Sequence, residues 1–268
     1  MKRRTGTRAL LFIVFLSAAC AHAAPAADAQ ITQVLDLLGV RAVLEQAPQV
    51  LDAAAAAQAH FQPAAGVKSR RDLEEKLRPQ VLATSVARYL RDHYQAATFE
   101  RALQRLQEPL AKRARYFDLA MTQTGADDNL REFFAHNGLP ADSTPTAGDE
   151  SGTQARRALL DEIDSATGLS QLTATLQSAI AARVRAAAGE GAPNTDRLQA
   201  EIAERRRYLA PLAAAYLRYD YRFLRDDELR EYRDLMRDDA VQALLDLSRQ
   251  AVLEAIAGEL KPPPDPPR

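Results

Sequence analysis

Two stretches of this chain, 127 positions apart, agree at seven of fourteen residues. Val81–Tyr94 and Tyr208–Tyr221 share Leu82/Leu209, Ala83/Ala210, Ala87/Ala214, Tyr89/Tyr216, Leu90/Leu217, Arg91/Arg218 and Tyr94/Tyr221. Self-similarity at a long fixed spacing marks a repeated structural unit, so the fold must seat the same segment twice. The repeated segment is rich in Ala, Leu and Arg, which favour helix. Val, Ile, Thr and aromatic residues are sparse along the whole chain, leaving little material for strands. The expected fold class is all-α: two related four-helix units, a duplicated helical bundle.

Glycine and proline positions set the expected boundaries. Apolar residues recur at helical spacing through Ile31, Val34, Leu35 and Leu38, and Gly39 ends that helix. The next helix runs from Val40 towards His60 and is interrupted at Pro48. A helical region over 69–97 is divided by Pro79, placed as the first residue of a fresh helix. One further helix spans 98–123, with Leu103, Leu106, Leu110 and Tyr116 among its candidate core, and a short one spans 127–136. Residues 138–152, rich in Pro, Ser, Thr, Asp and Gly, read as a linker. The first unit is therefore 24–137 and the second 153–258. In the second, helices are expected up to Gly168, over 169–188, over 195–224 with Pro211 inside, and over 226–257. Residues 259–268 form a Pro-rich tail that cannot be helical.

The helix over 195–224 is apolar on two sides. One stripe is Tyr208, Leu212, Ala215, Tyr216, Tyr219 and Phe223; the other is Ala210, Ala214, Leu217, Tyr221 and Leu224. A helix apolar on two sides is expected to lie between neighbours, so this one is placed at the centre of its unit.

The N-terminus has the pattern of an export signal. Lys2, Arg3, Arg4 and Arg8 precede an eleven-residue apolar run, Ala9 to Ala19, and Ala21-His22-Ala23 offers a small-x-small cleavage site. The run is shorter than the roughly 20 residues a membrane-spanning helix needs. The expectation is a signal peptide over 1–23 and a periplasmic or secreted chain starting at Ala24. Cys20 after Ser17-Ala18-Ala19 gives a second reading, a lipid-anchored envelope lipoprotein. Cys20 is the chain's one cysteine, so the mature part has no disulfide and no thiol chemistry. With 35 basic and 36 acidic residues, loss of the four basic groups in 1–23 leaves a net charge of −5. That balance argues against non-specific nucleic-acid binding.

The repeated Tyr-Leu-Arg-x-x-Tyr supplies the candidate ligand or partner site: Tyr89, Arg91 and Tyr94 in one copy, Tyr216, Arg218 and Tyr221 in the other. Arginine can hold an anionic group while tyrosine stacks or hydrogen-bonds. The same pattern is also what core tyrosines and ion-paired arginines produce. Asp226-Asp227-Glu228 and the Asp234, Asp238 and Asp239 group lack the alternating ligands of a calcium loop and sit where helix starts favour acids. His60, His93 and His136 have no zinc-like spacing. No phosphate loop, dinucleotide fingerprint or nucleophile elbow occurs, and no cofactor or metal is expected.

Three places carry a resemblance: Asp36-Leu37-Leu38-Gly39; Tyr221-Arg222-Phe223-Leu224 followed by Asp226-Asp227-Glu228-Leu229; and Glu108-Pro109-Leu110-Ala111-Lys112-Arg113. On these the chain resembles a domain-of-unknown-function family of exported, all-helical proteins of Gram-negative bacteria, present here in two copies. It departs from the pattern at Thr98-Phe99-Glu100 and at Arg237-Asp238-Asp239-Ala240. The resemblance implies architecture and location, with no activity or catalytic residues. The expected function is a non-enzymatic binding or envelope-associated module whose partner is an envelope protein or a small ligand. A hydrolase acting on an envelope component through carboxylates and histidine is the alternative.

Overall fold

The computed structural model describes residues 27–61, 67–120, 132, 133, 135, 150–191 and 193–257. All regular structure among them is helical. The helices are α1 (27–37), α2 (Val40–Leu44), α3 (Ala47–Phe61), α4 (Val67–Lys76), α5 (Pro79–Asp92), α6 (Ala96–Leu106) and α7 (Pro109–Ala120). After residue 150 come α8 (Glu150–Thr167), α9 (Leu169–Ala187), α10 (Thr195–Asp220), α11 (Asp226–Met236) and α12 (Asp239–Ala257). The expected signal peptide over 1–23, the Pro-rich stretch over 259–268 and most of the expected linker over 138–152 lie outside the described residues.

The breaks follow local chemistry. Gly39 and Gly168 occupy the left-handed region, with φ of 73° and 67°, and each opens the helix that follows it. A side chain there would crowd its own backbone, which is why both turns use glycine. Pro48 is the second residue of α3, and Pro79 is the first of α5, where no hydrogen bond is lost. Asn194 caps α10 by accepting the Arg197 N–H at 2.8 Å.

Two expected helices are each split. The one over 98–123 breaks into α6 and α7 at Pro109, which opens α7 where the missing N–H costs nothing. The one over 226–257 breaks into α11 and α12 with no glycine or proline present. There the Asp238 carboxylate accepts the Ala240 N–H at 2.9 Å, a side-chain cap that restarts the chain. Each half therefore holds more than the four helices that periodicity indicates.

The central helix is α9 rather than α10. It packs against α10, α3 and α12, and also touches α2, α4 and α8. Its buried residues include Leu172, Ala174, Leu176, Ala179, Ile180 and Ala182, which cover most of its circumference. Small Ala and Ser side chains let several neighbours approach closely, while each fully buried Leu or Ile contributes about 1.5–3 kcal/mol. The C-terminal helix α12 lies on α5 and α6, and α7 lies on α11 and α10. One continuous apolar core runs from Ile31 to Ile256, so the two halves interlock. Tyr116, expected in the core, is instead 65% exposed on α7.

Candidate functional site

The six repeated Tyr and Arg residues occupy unlike surroundings. On α5, Tyr89 is half-buried against the core and stacks on His93 with ring centroids 4.2 Å apart. Burial and the Glu254 carboxylate push its phenol pKa up. Arg91 is exposed and pairs with Asp28 of α1 at 2.7 Å. The Tyr94 hydroxyl donates to Gln30 Oε1 at 2.5 Å, and burial with Glu100 raises that phenol too. The Arg91 and Tyr94 contacts tie α5 and the residue after its cap back to α1.

In the second half, Tyr221 is 1% exposed and meets Tyr232 edge-on at 5.7 Å. A buried ring in that position is core. Arg218 lies over the Phe133 ring, 5.7 Å from its centroid, and Phe133 meets Tyr219 edge-on at 5.1 Å. Tyr216 is the repeated residue of this half that reaches solvent, at 38% exposure. In the first triplet Arg91 and Tyr94 hold α1 while Tyr89 packs on the core, and the second is divided between the core and a surface.

That surface follows the first apolar stripe of α10. Residues 208, 212 and 216 advance by about 40° at each step of four, so they share one side of the helix. Tyr208 is 77% exposed, Leu212 48% and Phe223, in the turn after α10, 69%. The opposite stripe, with Ala214, Leu217, Tyr221 and Leu224, is buried. The expected enclosure of both stripes therefore does not occur. The reason is the packing order: α8 and α9 cover one side of α10, and the other carries Phe133 on Tyr219 but leaves bare apolar surface on both sides of it.

Charge on this segment is one-sided. Between positions 205 and 225 there are six arginines and one acid, Asp220, which is buried. The Arg222 guanidinium stacks 3.9 Å from the Tyr219 centroid and 4.5 Å from that of Phe223, and donates to the Tyr219 carbonyl at 2.6 Å. Arg205 reaches Gln177 at 3.4 Å. Guanidinium groups thus stack on aromatic faces at the C-terminal end of the stripe, where Arg218 meets Phe133 and Arg222 meets Tyr219 and Phe223.

Acidic groups elsewhere are engaged by arginine. Asp226 pairs with Arg156, Asp227 with Arg225 at 3.0 Å, and Glu228 with Arg113. Asp234 pairs with Arg233 at 2.7 Å, and Asp238 with Arg101 at 3.0 Å. Burial opposes ionisation of Asp238, yet Arg101, the Ala240 N–H and Arg105 hold its carboxyl below the usual range. Arg113 and the Arg225 N–H do the same for Glu228. No group of three His, Cys, Asp or Glu that could hold a metal ion occurs among the described residues. The side chains of His60 and His136 lie outside them.

Arg156 escaped the sequence reading. From α8 it donates to the carbonyls of Tyr221 at 2.8 Å and Leu224 at 2.9 Å, and it pairs with Asp226. It thereby fixes the turn that carries Phe223. No spacing in the sequence announces a contact across 65 positions. Compared with protein-family models, curated proteins and solved structures, the chain matches none.

Proposed function

We propose that this chain is an exported, non-catalytic helical module that works by presenting the outward stripe of α10 to a component of the cell envelope. The observation that carries this reading is the exposure of Tyr208, Leu212 and Tyr216 along one side of α10 and of Phe223 in the turn after it, with arginines at both ends of the stripe. Exposed apolar patches of this kind mark interaction sites. Export rests on the basic n-region, the short apolar run and the Ala21-His22-Ala23 cleavage pattern, together with the resemblance to exported helical proteins. Among the described residues no helix is long and apolar enough to cross a membrane.

The two halves are read as copies of one unit. Left-handed Gly39 and Gly168 open α2 and α9, and each would direct a Cβ at an arginine, Arg115 on α7 or Arg249 on α12. The helices α6 and α7 begin 130 positions before α11 and α12. Contacts also pair off: α5 with α12 answers α10 with α7, and α6 with α12 answers α11 with α7. Two copies exchanging their last helices account for all of these.

Intact mass of the protein recovered from a Gram-negative host tests export. A chain beginning at Ala24 is expected. A chain retaining residues 1–23 contradicts export, and a lipid-modified Cys20 selects the lipoprotein reading.

A further inference from the structure

We propose that the outward stripe of α10 is an interfacial docking surface for an anionic lipid bilayer. The proposal deepens the reading above and rests on its claim that this stripe is the working face. Three observations lead to it.

The first is shape. Tyr208 on α10 and Phe223 in the turn after it are exposed over most of their surface, so they project into solvent and do not line a groove. A partner helix or peptide needs a concave seat to bury its anchors. A fluid bilayer interface receives projecting side chains without one.

The second is residue chemistry. Tyrosine has an apolar ring and a polar tip, the combination that settles at the headgroup level. Leu212 and Phe223 supply apolar contact on the same side. Arg205 and Arg222 flank the stripe, where long stems extend their charge towards phosphate while covering apolar surface.

The third is charge placement. The whole chain is close to neutral, at −1, yet the exposed charges from 205 to 225 are all positive. An anionic surface therefore attracts this side and repels the molecule's average. The attraction is short-ranged and salt-sensitive, because screening acts over roughly 8–10 Å. An acidic protein partner would share the charge complementarity but not the shape.

The chain contains no tryptophan, so one introduced indole reports its own position. Tyr208→Trp and Phe223→Trp place reporters on the stripe; Val81→Trp, at a 44% exposed site on α5, is the control. Each full-length variant is mixed with vesicles of phosphatidylcholine and phosphatidylglycerol in equal parts, with brominated acyl chains as quencher. The proposal expects blue-shifted, quenched emission at 208 and 223 and unchanged emission at 81. In the Tyr208→Trp background, Arg205→Gln with Arg222→Gln lowers vesicle affinity about thirtyfold, roughly fivefold per arginine, with helicity unchanged. Unchanged emission at 208 and 223 overturns the proposal. So does equal quenching at 81, equal affinity for pure phosphatidylcholine vesicles, or a response only to an acidic amphipathic peptide offered in place of vesicles. The reporters at 208 and 223 read insertion of the stripe itself and the one at 81 controls for binding through residues 1–23, whereas the intact mass reports on export alone.

Discussion

Individual residues decide where the chain turns. Gly39 and Gly168 share one backbone conformation but meet different neighbours. A Cβ on Gly39 would lie 3.1 Å from Arg115 Nη1, and one on Gly168 would lie 3.6 Å from Arg249 Nη1. Gly168→Ala should cost about 1–2 kcal/mol from the left-handed φ alone. Gly39→Ala should cost more, since Arg115 must also move. Urea midpoints of the two variants give the order. Arg156 is a second pivot. Lysine keeps its charge but cannot serve two carbonyls and a carboxylate in the same fork, so Arg156→Lys should lose about 1–3 kcal/mol. Asp238 carries a pH signature. Its folded pKa is depressed, so the stability it contributes is present above the unfolded value of about 3.9 and is lost as pH falls through the folded one. Comparing urea midpoints at neutral pH with those in the acid range, Asp238→Asn should show a smaller drop than the native chain. Of these residues, the glycines were legible because only turns demand them. Arg156 and the Arg101 partner of Asp238 were not, because those contacts join residues distant in sequence.

At the scale of elements, composition identified helices and punctuation placed several of their ends. Gly39, Pro79 and Gly168 each mark an observed boundary. The break between α11 and α12 was hidden, because an aspartate cap leaves no glycine or proline behind. The break between α6 and α7, 130 positions earlier, is marked by Pro109. For α10, periodicity revealed two apolar stripes but not which one the fold would cover. That choice depends on where α8 and α9 pack, a tertiary matter. A pair of substitutions checks the assignment. Leu217→Ala removes a side chain that is 2% exposed and should cost about 2–5 kcal/mol. Leu212→Ala, on the outward stripe, should change stability by less than about 0.5 kcal/mol. Equal costs in thermal or urea unfolding would mean that both stripes are enclosed.

For the molecule as a whole, the repeat led to an expectation of two units, 24–137 and 153–258, and the packing shows that these two stretches share one large core. The core is continuous because α12 covers α5 and α6 while α3 rests on α9. This packing across the chain was invisible in sequence, since a helix that packs on its near neighbours and one that packs on a distant segment show the same apolar period. The same uncertainty affected the candidate site. Tyr94 and Tyr221 serve packing, Arg91 holds α1, and Tyr216 opens onto the outward stripe. Interlocked halves cannot melt separately, because removing one exposes the apolar surface of the other. Tryptophan introduced at two half-buried tyrosines, Tyr89→Trp in α5 and Tyr219→Trp in α10, gives each half its own fluorescent probe. Urea unfolding followed at the two sites should give coincident midpoints and slopes; two separated transitions would contradict a body whose two halves share one large core.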